Sequence, residues 1–168
     1  MITEENEKNQ ELQETDSKVE KVDESEEGSE TVEIEIAFTG DVLFPDYLLK
    51  AYDKEGITGL ISESALNSLK EADITMINQE FPFSLMGESM VDKEYTFRIE
   101  PLRVEILNEL GVDIVTLANN HALDYGNDAL LETLSTLNEA NIAYVGAGEN
   151  LDMAKELKSK EVNGVMVG

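Results

Sequence analysis

The feature that most constrains the fold is an alternation of short apolar runs with segments of helical spacing. Four runs have the length and composition of strands. They occupy residues 34–38, 74–78, 113–118 and 142–145. Three intervening segments repeat leucine or isoleucine at helical spacing, within 59–71, 102–110 and 130–137. Strands that alternate with helices usually pair in parallel, so the sequence predicts an α/β domain with a mostly parallel sheet flanked by helices on both faces.

Proline, glycine and asparagine mark the expected ends of these elements. Pro101 suits the first position of a helix, and Gly111 is expected to end that helix. Asn127 is the predicted N-cap of the next helix. A further short helix is expected near 150–157, and an Asn-Gly pair predicts a turn between two strands within 161–167.

The beginning of the sequence is a separate compositional region. Residues 1–33 contain 13 Asp or Glu, three Lys, and no aromatic residue or proline. A segment with so little apolar surface cannot offset the entropy that ordering would cost. We therefore predict a disordered acidic arm over residues 1–32, which is either a spacer or a solvated tail, and a folded domain over 33–168.

The strong negative charge limits the classes of partner. The chain carries 37 acidic and 12 basic residues, which gives a formal net charge of −25. This charge repels nucleic acid backbones and anionic lipid headgroups, so no nucleic acid partner is expected. The chain has no cysteine, so disulfides and thiolate metal sites are excluded. No apolar run is long enough to span a bilayer, and the first residues lack a signal-peptide pattern.

An apolar strand stands at the end of the sequence. A terminal strand of this kind would leave an unpaired edge, which proteins usually protect. The expectation is therefore a truncated domain that continues beyond Gly168.

The first three predicted strands each lead into a polar loop. Ligands of parallel α/β sheets bind beyond the carboxyl ends of the strands. The polar residues at these ends are Asp41, Asn78, Glu80, Asn119, Asn120, His121 and Asp124. Carboxylates, amide oxygens and an imidazole suit Mg²⁺, Mn²⁺, Zn²⁺ or iron ions. The pattern therefore indicates a divalent metal site at this edge of the sheet.

Each of these residues also has a structural interpretation. Asp41 could cap a turn, and Asn119 and Asn120 could occupy turn positions with positive φ. His121 is the only histidine in the chain, and a lone histidine is usually structural or exposed. Polar loops at three successive strand ends favour the functional interpretation. No complete dinucleotide, serine hydrolase, P-loop or zincin motif occurs.

Three stretches of the sequence resemble one known family. They are Phe38-Thr39-Gly40-Asp41-Val42, Asn78-Gln79-Glu80 with Pro82, and Leu117-Ala118-Asn119-Asn120-His121-Ala122-Leu123-Asp124-Tyr125-Gly126. Together they closely resemble the CapA-type poly-γ-glutamate capsule synthesis family. The resemblance covers about residues 33–168 and identifies them as the N-terminal portion of such a domain.

The family is similar to calcineurin-like metallophosphoesterases, which implies a metallophosphoesterase-like layered fold. By this resemblance Asp41, Glu80 and Asn120 are metal ligands, while Asn78 and Asn119 support the loops. The implied cofactor is a divalent ion of manganese, magnesium, zinc or iron. The implied reaction class is metal-assisted hydrolysis or transfer.

The resemblance also implies catalytic roles in the third loop. His121 would be the acid or the substrate-orienting group, and Asp124 would be its partner. Metallophosphoesterases usually begin with Asp-x-His, but position 43 is Leu, and other family histidines lie in a C-terminal half that this sequence does not include. We therefore predict weak metal binding and no robust catalysis by residues 1–168 alone. A phosphatase activity abolished by His121→Ala would contradict this prediction.

The function implied by the resemblance is participation in poly-γ-glutamate synthesis or export. The implied location is the extracellular face of the cell membrane or the cell surface, and the implied partners are the membrane components of the poly-γ-glutamate synthase. Two alternatives stay open. One is a metallophosphoesterase acting on a small phosphorylated substrate, and the other is a non-catalytic binding module of a synthase complex.

Overall fold

The computed structural model describes residues 31–168. The acidic arm predicted over residues 1–32 lies outside the described residues apart from its last two positions, so it stays a prediction. Within the described residues, no helix is long and apolar enough to cross a membrane.

Four parallel strands form the central sheet. They are β1 (Ile36–Val42), β2 (Ile74–Gln79), β3 (Ile114–Thr116) and β4 (Ala143–Val145), in the order β1-β2-β3-β4. β2 lies inside the sheet and is buried along most of its length, which explains its near-continuous apolar run. The predicted α/β class, with a parallel sheet flanked by helices, is confirmed.

Helices lie in the connections between the strands of the sheet, and one more follows the last strand. They are α1 (Asp46–Glu55), α2 (Glu63–Glu71), α3 (Glu105–Leu110), α4 (Gly126–Glu139) and the short α5 (Leu151–Ala154). Single 3₁₀ turns span Gly56–Gly59 and Pro101–Val104. Beyond α5, β5 (Lys160–Val162) and β6 (Val165–Val167) form a separate antiparallel pair. This pair confirms the hairpin predicted around the Asn-Gly turn.

Two predicted helix boundaries are confirmed and one is wrong. Pro101 begins the turn that leads into α3, and Gly111 ends α3 at a φ of 78°, a left-handed conformation that glycine adopts without strain. α4 begins at Gly126, so Asn127 lies inside the helix rather than at its N-cap. Residues 120–125 already form consecutive turns, and the helix continues from them without a capping side chain.

α1 is absent from the elements predicted above. Its inward face carries only Leu49 and Tyr52, which lie three residues apart and are too few for periodicity to indicate a helix. The hydroxyl of Tyr52 donates a 2.5 Å hydrogen bond to Glu109 Oε1 of α3. Tertiary contact therefore stabilises this helix more than its own sequence pattern does.

The hydrophobic core lies between one face of the sheet and the helices. Its fully buried members come from the strands, the helices and the loop after β2, and include Ile77, Phe81, Phe83, Ile106, Leu107, Val115 and Leu137. Phe81 packs edge-on against Phe83, with ring centroids 5.0 Å apart. This aromatic pair anchors the loop that follows β2 to the core.

The opposite face of the sheet is open within residues 31–168. It presents Ile36, Phe38 and Ile114, and Phe38 is 71% exposed. The groove on this face is bounded by residues 158–160 and 167–168, and no helical residue lines it. The expectation of helices on both faces is therefore wrong for this part of the chain. When strand order follows chain order, crossovers of the usual right-handed sense place successive helices on one face.

Candidate functional site

The carboxyl ends of β1, β2 and β3 lie side by side and bring the predicted polar loops together. Phe38 pairs with Met76, so unbroken register would place Gly40 opposite Asn78. A bulge inserts one residue, and Asp41 pairs with Asn78 instead. Bulges of this kind redirect side chains near binding sites. This one brings the Asp41 carboxylate to the side of the sheet that carries the Asn78 amide.

Asn78 connects the two carboxylates that were predicted as metal ligands. Its Nδ2 donates to Asp41 Oδ1 at 2.7 Å and lies 3.5 Å from Glu80 Oε1. Its Oδ1 accepts a 3.0 Å hydrogen bond from Asn119 Nδ2. Both ends of the Asn78 amide are therefore engaged, and they fix the positions of the two carboxylates. This geometry is compatible with the supporting role predicted for Asn78.

Asn119 joins the end of β2 to the third loop. Its Nδ2 also donates to the carbonyl of Gln79 at 2.8 Å, and its Oδ1 accepts a 2.9 Å hydrogen bond from the backbone amide of His121. A continuous chain of hydrogen bonds therefore runs from Asp41 through Asn78 and Asn119 to His121. The sheet thus sets where the histidine backbone lies.

His121 and Asp124 form a buried pair. Nδ1 of His121 lies 2.8 Å from Asp124 Oδ2, and the two residues are 8% and 0% exposed. Burial alone raises the pKa of Asp124, but hydrogen bonds from Lys93, His121 and the Phe97 amide outweigh burial and hold that pKa below its ordinary value. An ionised carboxylate only accepts hydrogen bonds, so in the neutral imidazole Nδ1 carries the proton and Nε2 the lone pair. Nε2 has no hydrogen-bond partner within residues 31–168 and is not sealed from solvent.

The irregular segment after β2, residues 80–100, supplies contacts that the sequence did not predict. Lys93 Nζ forms an ion pair with Asp124 Oδ1 and donates to the carbonyl of Asn120 at 2.5 Å. The Phe97 amide donates to Asp124 Oδ2 at 2.7 Å, and the centroids of the Phe97 and His121 rings lie 4.4 Å apart. No periodicity or motif marks these residues, because a long loop gives no pattern for which side chains turn inward.

The same irregular segment packs directly on the third loop. The Met90 amide donates to the carbonyl of Asp124 at 2.9 Å, and the Arg98 guanidinium lies 4.1 Å from the centre of the Tyr125 ring. Gly87 adopts a φ of +75° and approaches Tyr125 so closely that a Cβ would overlap the Tyr125 carbonyl oxygen. The segment is therefore a fixed part of the site rather than a loose connection.

Most of the chain matches a known family of bacterial proteins. The model of the bacterial capsule synthesis protein family PGA_cap matches residues 35–168. The chain belongs to this family. The match covers the whole α/β domain described above, and the CapA-type resemblance of its three loops is confirmed.

Relatives of this PGA_cap domain include two Bacillus proteins. The capsule biosynthesis protein CapA of Bacillus anthracis is 29% identical over 141 residues, which make up 82% of this chain and 34% of that protein. The PGA biosynthesis protein CapA of Bacillus subtilis is 27% identical over 136 residues, 80% of this chain and 36% of that protein. A probable polyglutamine synthesis accessory protein of Mycobacterium tuberculosis is 37% identical over 83 residues, 49% of this chain and 22% of that protein. The chain spans about a third of the length of the two Bacillus proteins.

The oxygen atoms that this PGA_cap domain offers at the strand ends are of the type that hard divalent cations bind. Asp41 and Glu80 both face the Asn78 amide, and carboxylate oxygens are what Mg²⁺ and Mn²⁺ prefer. The third predicted ligand, Asn120, is exposed, and its side chain forms no hydrogen bond within residues 31–168. Over the same residues, no three His, Asp or Glu side chains converge on one point. The described part of the chain therefore offers two carboxylates that share the Asn78 amide, and an ion held there would need water or further ligands at its other coordination positions.

Proposed function

We propose that this chain takes part in the synthesis or export of a poly-γ-glutamate capsule, with the polar cluster at the strand ends as its reactive part. The observation that carries the proposal is the hydrogen-bonded chain from Asp41 to His121 in a member of the capsule synthesis family. The names of the two Bacillus relatives, a capsule biosynthesis protein and a PGA biosynthesis protein, support the same process.

The charge of the site calls for a cation if an anionic polymer is to bind. Poly-γ-glutamate carries one carboxylate per residue, whereas the chain has a net charge of −25 and places Asp41 and Glu80 at the site. Two like charges 4 Å apart repel by about 1 kcal/mol in water and by more near a protein surface. We assign Asp41, Glu80 and Asn120 to hold a divalent ion of manganese, magnesium, zinc or iron. Such an ion would polarise a substrate oxygen and activate water.

The residues of the third loop would orient the substrate and move a proton. Asp124 holds the Nδ1 proton of His121, so Nε2 is the ring atom that can accept a hydrogen bond or a proton. Once Nε2 has taken up a proton, His121 can return it to a leaving group as an acid. Asn119 fixes the backbone of His121, and the Phe97 ring limits the motion of the imidazole.

We further propose that the domain works at the extracellular face of the cell membrane beside the membrane components of the polymer synthase. The accessory-protein name of the Mycobacterium tuberculosis relatives supports association with a synthesis system. The chain's net charge of −25 would keep it away from anionic lipids, and the acidic arm would suit a spacer. Labelling of intact cells with a membrane-impermeant amine reagent tests the location. Labelling before lysis is expected, and protection until lysis would contradict it.

The role in capsule formation is tested by gene replacement in the source bacterium. The gene is deleted and restored as wild type, as His121→Ala, or as the control Asp92→Asn, an exposed residue of the irregular segment. We expect wild type and Asp92→Asn to restore γ-linked glutamate polymer and His121→Ala to leave it at the level of the deletion. Full polymer production by His121→Ala would refute the assignment of the reactive site.

Metal binding is tested on the purified chain by calorimetric titration with Mn²⁺. Removal of either converging carboxylate, by Asp41→Asn or Glu80→Gln, is expected to weaken binding at least about tenfold, because hard cations depend on charged oxygen ligands. Asp92→Asn should bind as the wild type does. Equal affinities in all four proteins would exclude the proposed ligands.

A non-catalytic binding module is the second candidate. The observation in its favour is that residues 31–168 bring together no group of three His, Asp or Glu side chains. In that case His121→Ala would restore polymer in the gene-replacement experiment, while loss of the domain would still abolish it. A phosphodiester hydrolysis activity lost in His121→Ala would instead favour a metallophosphoesterase.

A further inference from the structure

We propose that Lys93 is a positioning residue for His121, acting through the Asp124 carboxylate and the Asn120 carbonyl. The inference deepens the proposed function and rests on it only for its biological consequence. The geometry that carries it consists of the three contacts of one ammonium group. Lys93 Nζ pairs with Asp124 Oδ1, donates to Asn120 O at 2.5 Å, and lies 3.2 Å from His121 Nδ1.

The Asp124 carboxylate divides its partners between its two oxygens. Oδ2 accepts from His121 Nδ1 and from the Phe97 amide, at 2.8 and 2.7 Å. Within residues 31–168, Oδ1 has Lys93 as its partner. Because the carboxylate is fully buried, water cannot replace that partner without opening the loop. Lys93 therefore sets the rotation of the carboxylate and, with it, the direction in which Oδ2 faces the imidazole.

The position of the ring proton follows from the donors present. Lys93 has three hydrogens to donate and no acceptor, and Asp124 and Asn120 are acceptors. Nδ1 of His121 could accept from Lys93 at 3.2 Å or donate to Asp124 at 2.8 Å, but it cannot do both with one proton. The shorter contact to an ionised carboxylate is the stronger one. Nδ1 is therefore the protonated nitrogen, and the lone pair stays on Nε2.

Lys93 also holds both ends of the turn that carries the histidine. Asn120 precedes His121, and Asp124 follows it by three residues, so one ammonium group ties the backbone before the ring to the side chain after it. Lys93 lies 31 residues before Asp124, and its side chain is 23% exposed. Without the ammonium group, the carboxylate keeps the two hydrogen bonds to Oδ2 and the ring keeps its packing against Phe97, but no other described residue fixes Oδ1 or ties the Asn120 carbonyl to Asp124. The imidazole would then sample other orientations and exchange its Nδ1 proton faster.

The test uses the single histidine of the chain as its own probe. In the 168-residue chain, the one pair of imidazole signals in ¹⁵N-resolved NMR belongs to His121, because the chain has a single histidine. The spectrum distinguishes the Nδ1-H from the Nε2-H tautomer and gives the exchange rate of the ring proton with water. The variants are Lys93→Met, which removes the charge, Lys93→Arg, which keeps it, and the control Lys50→Met at an exposed position of α1.

We expect the Nδ1-H tautomer in the wild type, in Lys50→Met and in Lys93→Arg. Lys93→Met should exchange the Nδ1 proton at least about tenfold faster, as the loss of a hydrogen bond to a charged group implies. An Nε2-H tautomer in the wild type, an unchanged rate in Lys93→Met, or equal acceleration in Lys93→Arg would each overturn the inference. If Lys93→Met does not fold, Lys93→Arg decides alone, since a shift to Nε2-H in that variant also overturns it.

The outcome is independent of the capsule experiment. The NMR measurement involves no metal, polymer or enzymatic activity, so a negative capsule assay refutes the proposed function and leaves the positioning of His121 untouched. A normal capsule assay together with an unchanged exchange rate in Lys93→Met would refute the positioning role alone.

Discussion

Replacing Asp124 by asparagine tests whether the stability of the third loop depends on a buried charge. Asp124 is 0% exposed and accepts hydrogen bonds from Lys93, His121 and the Phe97 amide. Asparagine has nearly the same shape, and its single oxygen can still accept from His121 and Phe97. Its NH₂ group would then face the Lys93 ammonium, so two donors would meet and Lys93 would lose its carboxylate partner.

The expected cost follows from the loss of the ion pair with Lys93. Removing one partner of a buried ion pair costs about 3–5 kcal/mol. Lys93 is 23% exposed, so water can compensate part of its loss. We therefore expect Asp124→Asn to lower the free energy of unfolding by about 2–3 kcal/mol. With a urea m-value of about 2 kcal/mol per molar, the midpoint would fall by about 1 M.

Urea unfolding followed by circular dichroism measures this cost, with Asp92→Asn as the matched control. Asp92 is exposed and adjacent to Lys93, so its replacement should change the free energy by less than about 0.5 kcal/mol. Because the pKa of Asp124 is lowered in the folded state, its carboxylate stabilises the fold fully above about pH 4, the ordinary pKa of an aspartate. This stabilisation is lost as the pH falls through the pKa of Asp124 in the folded protein. The gap between wild type and Asp124→Asn should therefore narrow in acid. A cost below about 1 kcal/mol at pH 7, or a gap independent of pH, would refute the reasoning.

Three further variants test the packing of the irregular segment, the core and the open sheet face by the same unfolding assay. Gly87→Ala should destabilise by at least about 2 kcal/mol, because the new Cβ would overlap the Tyr125 carbonyl oxygen at a positive φ; a neutral result would mean that the irregular segment is not fixed on the third loop. Leu107→Ala should cost about 2–5 kcal/mol, since Leu107 is 0% exposed in the core, and a smaller loss would indicate a core that collapses around the cavity. Phe38→Ser should change stability by less than about 0.5 kcal/mol, because Phe38 is 71% exposed on the open sheet face, and a large loss would show that this ring is covered in solution.

The parallel sheet and its polar edge can be predicted from local patterns of the sequence. An apolar run of strand length is recognisable in β2, which is buried along most of its length, and in β3, whose central Val115 is fully buried. Gly111 marks the end of α3 because its left-handed backbone conformation favours glycine. The pair His121 and Asp124 is also local, since three residues of a turn separate them.

Elements without a repeating pattern could not be predicted in this way. α1 has too few inward residues for a helical period, and it is tied to α3 by the contact of Tyr52 with Glu109. The N-cap expected at Asn127 was wrong because the turns before α4 already continue into the helix. The first case depends on a contact between distant segments and the second on the turns that precede the helix, and single-residue propensity contains neither.

The sequence alone therefore determined which strands form, where their polar ends lie, and which residues resemble a known capsule family. Only the tertiary structure decided that a bulge turns Asp41 toward Asn78, that one face of the sheet is open in the described residues, and that Lys93 reaches the loop of His121. The physical reason is the range of the interactions. The periodicity of a sequence indicates which side chains of one strand or helix are buried. The hydrogen bonds of Lys93 with Asp124 and of Asn78 with Asp41 join residues 31 and 37 positions apart, so they form only when strand order and register are set.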